Sequence, residues 1–455
     1  MAYTKVVIIG GGFGGLNCAK DLRKADAKVL LIDKMNHHVF QPLLYQVATA
    51  ALSPADIAIP IRETMHAQQN ASVIMANIQS IDKEHKRVIA SNGELFHYDY
   101  LVVATGSRHS YFGHPEWEQF APGLKTAADA VRIRERILTS FEIAERCDSI
   151  SEAEKYLRFV IIGGGPTGVE LAGAVAEIAH KTMFDNFRKI KPDQAQIYLI
   201  EGKSEVLYAF HPKLDTIAHR DLEKMGIKII TGTHVTNVEH NGVWIGDEFI
   251  ESYSIIWAAG NNALPLVKTL NVESDHASRV KVNPDLSIPD HPEIFVIGDA
   301  AHCPDKNGDP LPGLASVAIQ QGRYVANIIK NNIDPEARKP FRYFDKGIMA
   351  TIGTSKAVCR VGKLNFSGFT AWLIWSWVHV FYLNSFRNRL GVMLKWFFLY
   401  LTGYRQVRLI LKAIYGSDDS VFREGDPEFE ETLKRNRERL EREEKLLGDT
   451  GRFLS

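Results

Sequence analysis

Val6-Val-Ile-Ile-Gly-Gly-Gly-Phe-Gly-Gly15 stands almost at the start of the chain, and Phe159-Val-Ile-Ile-Gly-Gly-Gly-Pro-Thr-Gly168 repeats it. Each copy is a β-branched run, a glycine turn and the start of an amphipathic stretch. Each leads to a second apolar run ending on an acid, Val29-Leu-Leu-Ile-Asp33 first and Ile197-Tyr-Leu-Ile-Glu201 later. Strand, tight turn, helix and strand make the β-α-β unit that binds dinucleotides, here present twice. The second copy carries extra residues, about Ala179 to Gln194, before its second strand. Three further apolar runs, Tyr100 to Gly106, Ile255 to Gly260 and Ile294 to Asp299, predict buried parallel strands whose C-terminal ends meet a ligand.

A pyrophosphate at a helix N-terminus needs a tight turn, backbone close to its oxygens, and close helix–strand packing. Gly10, Gly12 and Gly15 answer these needs, and Asp33 is placed to take ribose hydroxyls. Gly163, Gly165 and Gly168 repeat the logic with Glu201 as the acid. A carboxylate there accepts from a 2′-hydroxyl and repels a 2′-phosphate, favouring NADH over NADPH, although Lys203 lies nearby. Two such Rossmann-like units imply two dinucleotides, and hydride transfer from a nicotinamide to a tightly held flavin needs both. Gly298 and Asp299, ending Phe295-Val-Ile-Gly-Asp299, suit flavin ribityl or phosphate groups; Thr105 and Gly106, ending the Tyr100 run, join the cofactor-binding set.

Composition narrows the rest. Hydrophobic residues make up 45% and charged residues 24%, which excludes a disordered or collagen-like chain. Lys plus Arg and Asp plus Glu each number 54, so no basic excess points to nucleic acid. The four cysteines, Cys18, Cys147, Cys303 and Cys359, form no metal-ligand spacing, so no metal is expected and a reducing compartment fits.

Together these segments resemble the two-dinucleotide-binding-domain flavoproteins over residues 1–330. That resemblance implies FAD on the first unit and NADH on the second. The FAD domain would be discontinuous, 1–110 plus 275–330, with the NADH domain, 155–270, inserted. Relatives that reduce disulfides carry a cysteine pair after the first acidic strand end. Here Asn36-His-His-Val-Phe-Gln-Pro-Leu-Leu-Tyr-Gln-Val-Ala-Thr49 has none, so a thiol relay at that position is chemically impossible.

That stretch, with Leu52-Ser-Pro-Ala-Asp-Ile-Ala-Ile-Pro-Ile-Arg62, Gly168-Val-Glu-Leu-Ala-Gly173 and Asp299-Ala-Ala-His302, is similar to type II NADH:quinone oxidoreductases. The resemblance implies electron transfer from NADH through FAD to a membrane quinone, without proton pumping, at the entry of a respiratory chain. Ala315-Ser-Val-Ala-Ile-Gln-Gln-Gly322 occupies the position of that family's quinone motif. Ala318, also a candidate cofactor-binding residue, and Gln320 match it; Ser316 replaces its first glutamine, which implies different head-group bonding and quinone preference. A quinone needs an apolar channel and a few polar groups at its carbonyls. Gln46 and Gln320 are candidate donors and Tyr45 a channel residue, the alternative being that all three merely pack the domain. Glu170, early in its helix, either positions nicotinamide or favours the helix dipole. Rival readings are an enzyme like sulfide:quinone oxidoreductase, which would need cysteines at the flavin, and a non-catalytic scaffold that senses NADH and FAD.

After Pro340 the composition changes. Residues 340–362 read as strand-rich, and Leu364 to Phe386 are 23 residues without charge. As one helix they would reach about 34 Å, enough to span a bilayer. Trp372, Trp375, Trp377, Phe381 and Tyr382 suit an interfacial helix equally well. A second apolar stretch, Leu390 to Tyr404, is short and contains Lys395. The C-terminal region, 340–455, is therefore expected to attach to a lipid bilayer through 364–404, as a single span or a monotopic anchor, with the catalytic domains on the cytoplasmic face. A core hairpin or a homodimer interface is the alternative. Residues 428–447 read as a charged, solvated or loosely packed tail helix with i,i+4 pairs. His37 and His38 read as surface loop residues, and His379 as interfacial or packed.

Overall fold

The computed structural model describes residues 3–383, 385–412, 415–416, 422–423, 426–427, 430–431, 433–438 and 441–442. Its largest sheet runs Ser287–Ile288, His291–Val296, Tyr100–Val103, Thr4–Ile9, Ala27–Asp33, Ala71–Met75. All its pairings are parallel except the outer one between Ser287–Ile288 and His291–Val296. The apolar run Val6–Ile9 is continuous rather than alternating because both faces of its strand are buried, as a parallel sheet requires. Helices Phe13–Asp21 and Ala315–Lys330 pack together on one face. They approach so closely that a Cβ on Gly322 would lie 2.3 Å from the Gly14 carbonyl oxygen.

A second, four-stranded parallel sheet runs Ile227–Thr231, Gln196–Glu201, Arg158–Ile162, Ser254–Trp257. Helices Ala127–Arg146 and Pro166–Glu177 pack with it in one core, where Phe141 lies against Phe159. The extra residues of the second repeat become a π-helical turn, Ile178–Thr182, and a loop up to the 3₁₀ turn Pro192–Gln194.

The C-terminal region corrects the expected single span. Its strand-rich beginning is an antiparallel sheet, Ile348–Ile352, Lys356–Val361, Leu364–Ser367. The uncharged run thus starts as a strand. Gly368, at φ 71°, turns it into a helix of only 15 residues, Gly368–Tyr382. That helix is about 22 Å long, short of the roughly 30 Å of a hydrocarbon core. Among the described residues no helix is long and apolar enough to cross a membrane. A second helix, Phe386–Thr402, is capped by Ser385, whose hydroxyl accepts from the Asn388 N–H, and stops at Gly403.

Two faces of this helix pair have different fates. Ala371, Trp375 and His379 on one helix, and Asn388, Val392 and Trp396 on the other, recur every four residues and are buried. Trp375 and Trp396 belong to the same core as Tyr45, Ile161 and Leu171. The outer face is apolar too: Leu373, Trp377, Leu394, Phe397, Phe398 and Leu401 are all exposed. Lys395 does not break this pattern, because Asp56 accepts its ammonium at 2.6 Å. Most described tail residues are exposed, and two of their side chains reach the body of the protein. The described residues 430–431, 433–438 and 441–442 are helical, and Tyr253 donates to Glu431 at 2.9 Å while Arg435 pairs with Glu152. The rest of 428–447 lies outside the described residues.

Candidate active site

The two glycine turns are built alike. Gly10 has φ 107°, and a Cβ on it would lie 2.2 Å from the Ala104 carbonyl oxygen. A Cβ on Gly15 would lie 1.9 Å from the carbonyl oxygen of Gly10, so helix and strand touch through glycine alone. Gly12 differs: a Cβ there would meet nothing within 4 Å, so its backbone borders open space at a helix N-terminus. In the second copy, a Cβ on Gly163 (φ 112°) would meet Ala258 at 2.7 Å, one on Gly168 would meet the Gly163 oxygen at 1.8 Å, and Gly165 is again open. Each acid holds its own turn. Asp33 accepts from the Gly11 N–H at 2.5 Å and from Met35 at 2.8 Å; Glu201 accepts from Gly164 at 2.6 Å and from Lys203 at 2.8 Å. An open cradle over free helix N–H groups with a carboxylate at its edge fits a dinucleotide in both places.

At the first cradle, Asp299 accepts from the Ser107 hydroxyl at 2.7 Å, and Lys125 donates to Ser107 at 3.2 Å. Burial lowers the pKa of Lys125, while the carboxylate of Asp299 opposes that shift. Gly298, at φ 70°, donates to the Gln321 side chain at 2.7 Å and lies against Ala318. The buried hydroxyl of Thr105 has no partner among the described residues, and Gly106 beside it has φ 74°. These groups suit the phosphate and ribityl oxygens of a flavin nucleotide.

His38 is not a surface residue. Only 3% exposed, it donates from Nδ1 to the Gly11 carbonyl at 2.9 Å and packs edge-on against Phe13. Burial pulls its pKa down to about 4, so the imidazole is neutral and braces the first glycine turn. His37 is half-buried. His379 is packed, stacked on Trp375 with Nδ1 donating to the Trp375 carbonyl.

Between the dinucleotide units and the C-terminal helices lies a narrow pocket with a cavity volume of about 30 Å³. Glu170, Tyr45 and Gln46 wall it on one side; Trp375, Trp396 and Arg405 close it on the other. The polar groups form one chain of contacts. Trp396 donates to the Gln46 oxygen at 2.6 Å, Gln46 donates to Tyr45 at 3.0 Å, and Tyr45 shares a hydrogen bond with Thr351 at 2.9 Å. The Thr351 N–H donates to Glu170 at 3.3 Å. Burial pushes Glu170 up to about 8, against the pull of that N–H, so at neutral pH it is mostly a carboxylic acid. Arg405 pairs with Glu177 at 2.9 Å and donates to Thr49, so a buried ion pair fastens the end of the helix pair to the helix bearing Glu170.

Gln46 and Glu170 therefore meet in one pocket, and Gln320 does not line it. Its amide donates to the Ser316 and Phe344 carbonyls and accepts from the Phe344 N–H at 3.0 Å; Ser316 bonds Tyr343 at 2.9 Å. Sequence reasoning missed Glu177, Thr351 and the core role of Arg405. It also missed Lys125 and Ser107, for which nothing local in the chain gives a signal. All four cysteines are buried and free, and none lines the pocket; burial lifts Cys147, Cys303 and Cys359 to about 11, leaving inert thiols.

Residues 4–322 match the family of pyridine nucleotide-disulphide oxidoreductases. The type II NADH:quinone oxidoreductase NdhA of Mycobacterium tuberculosis is 44% identical over 409 residues, 86% of this chain and 86% of that one. The chain belongs to the type II NADH:quinone oxidoreductases. A second relative from that organism, the type II NADH:quinone oxidoreductase Ndh, is 42% identical over 416 residues, 88% of this chain and 89% of its own. Plasmodium falciparum NDH2, solved in complex with NADH, has the same fold, with TM-score 0.81 at 21% identity over 89% of this chain and 100% of that chain.

Proposed function

We propose that this type II oxidoreductase passes electrons from NADH through FAD to a membrane quinone without pumping protons. Residues 1–110 and 275–330 hold FAD through Gly10, Gly12, Gly15, Asp33, Asp299 and the Thr105–Gly106 turn. Residues 155–270 hold NADH through Gly163, Gly165, Gly168 and Glu201. Bound flavin supplies the two-electron relay between donor and acceptor. The chain's own residues do the rest. The glycine turns seat the pyrophosphates, Asp33 and Glu201 orient the riboses, and the aromatic pocket excludes water around the quinone ring. Glu170, neutral at pH 7, offers a proton at its carboxyl oxygen, and Gln46, held by Trp396 and Tyr45, fixes the head group.

The observation that carries this reading is the Glu170 pocket, walled jointly by the dinucleotide units and by helices whose outer face is exposed and apolar. A contiguous apolar face of that kind suits a bilayer, so the same helices would form a monotopic anchor and open the pocket where quinone dissolves. Self-association through this face is the competing occupant. The deciding experiment is NADH oxidation by purified FAD-loaded protein with a short-tailed quinone. Rapid turnover supports the reading; protein that reduces its flavin with NADH yet turns over no quinone would leave only the scaffold reading.

A further inference from the structure

We infer that the extra segment of the second repeat, Lys181 to Lys191, is a second bilayer-contact element that recognises anionic lipid headgroups. The inference rests on the monotopic reading above and adds a specificity to it.

The segment is built with its apolar and basic side chains divided. Phe187 and Ile190 face inward against the core, with Phe187 stacked on Phe141. The Glu145 carboxylate accepts the backbone N–H groups of Arg188, Lys189 and Ile190, at 2.8, 3.0 and 3.1 Å. These bonds fix the loop backbone, and the exposed side chains of Arg188, Lys189 and Lys191 project from it. Phe184, 53% exposed, sits on the same loop. A large apolar ring held out among cations is unfavourable in water and suits the headgroup boundary of a membrane.

Position adds the second argument. The Thr182 hydroxyl donates to the Gly403 carbonyl at 3.2 Å, and Arg408 donates to the Thr182 carbonyl at 3.4 Å. Gly403 ends the second apolar helix. The loop is therefore continuous with the proposed anchoring face, beside exposed Tyr404 and Leu409. Its charge is one-sided. Lys181, Arg188, Lys189 and Lys191, joined by Arg408, stand against exposed Asp185 and Asp193 and against Glu145, which holds the loop backbone. Glu177, which lies 3.7 Å from Lys181, is already engaged by Arg405. Five cations against three acids, in a chain with formal net charge +0, complement a negatively charged leaflet.

The test uses full-length, FAD-loaded protein co-sedimented with neutral phosphatidylcholine vesicles and with vesicles containing phosphatidylglycerol. Wild type should bind both, the anionic ones more tightly, with the difference shrinking as salt screens it. Combining Arg188→Glu, Lys189→Glu and Lys191→Glu should lower partitioning onto anionic vesicles about a hundredfold or more. Binding to neutral vesicles and NADH:ferricyanide activity should stay unchanged. In parallel, Phe184→Cys carrying an environment-sensitive dye should shift to the blue on anionic vesicles; the native cysteines are buried. The inference is overturned if wild type does not distinguish the two vesicles, if charge reversal leaves the distinction intact, or if the dye at 184 stays in water. It is overturned equally if the reversal changes only self-association. Wild type that binds neither vesicle would instead remove the monotopic reading, and this inference with it.

Discussion

The indole N–H of Trp396 donates to the Gln46 side-chain oxygen at 2.6 Å, joining residues 350 positions apart. A tryptophan of the C-terminal helix pair thus orients a polar group that sits on a short helix of the first dinucleotide unit. Trp396→Phe keeps most of the apolar bulk and leaves a buried acceptor without its donor, which costs about 1–3 kcal/mol. Quinone-dependent turnover should fall severalfold or more while NADH:ferricyanide activity holds. An equal loss in both assays would show that Gln46 serves packing alone.

Gly12→Val should give folded protein that does not retain flavin. A side chain at Gly12 meets no protein atom, so it clashes only with whatever occupies the cradle. Gly15→Val is the contrast, because its Cβ collides with the Gly10 backbone and the fold itself should fail. Absorbance near 450 nm set against circular dichroism separates the two outcomes. Yellow, fully loaded Gly12→Val protein would contradict FAD at the first turn.

Glu201→Ala should raise KM for NADH and weaken discrimination against NADPH, since ribose contact and phosphate repulsion vanish together. A hydrogen bond to a charged group is worth about 1.5–3 kcal/mol, or about ten- to a hundredfold in kcat/KM. Glu201 also accepts from Gly164 and Lys203, so part of the loss will come from a loosened turn. Steady-state kinetics with both donors provide the check, and an unchanged ratio would remove Glu201 from donor selection.

Glu170→Gln should flatten a pH dependence. Burial raises the folded-state pKa of Glu170 from 4.5 to about 8. Between those values the folded protein binds more protons than the unfolded chain, so this group makes stability fall as pH rises, by up to about 1.4 kcal/mol per pH unit. Its influence on stability is absent below pH 4.5, and the loss is complete above 8. Thermal melts from pH 5 to 9 should show the variant losing its advantage toward low pH and gaining on wild type toward high pH. Quinone turnover by wild type should decline with an apparent pKa near 8, and the variant should lack that limb.

Arg405→Met should destabilise by about 3–5 kcal/mol, because it removes the buried partner of Glu177 and leaves it only the exposed Lys181 at 3.7 Å. Adding Glu177→Met should restore much of that loss. Calorimetric melts of the single and double variants test the pair. The ion pair and the buried tryptophans also set the outcome of truncation after Lys363. Removing the helix pair strips Trp375 and Trp396 from the core, so the truncated chain should lose its fold and not be released as an intact soluble enzyme.

Local patterns in the chain determined the two β-α-β units. The glycine spacing, the flanking β-branched runs and the terminal acids are all read within some thirty consecutive residues, and the backbone demands at Gly10 and Gly163 are equally local. The cysteine-free Asn36–Thr49 stretch likewise excluded a thiol relay without coordinates. What needed the tertiary structure depends on contacts between distant segments. Hydropathy could not divide Leu364–Phe386 into strand and helix, because an uncharged run has no periodicity to show which face turns inward. Only packing against Tyr45 and Leu171 made Trp375 and Trp396 core residues and left Trp377 and Phe397 outside. His38 looked like a loop residue until Phe13 and the Gly11 carbonyl closed over it. Lys395 read as a charge interrupting an apolar stretch, and Arg405 carried no local signal of its own. Glu177 and Asp56, hundreds of residues away, turned them into internal partners, since a charge beside an apolar surface goes where its counter-ion is.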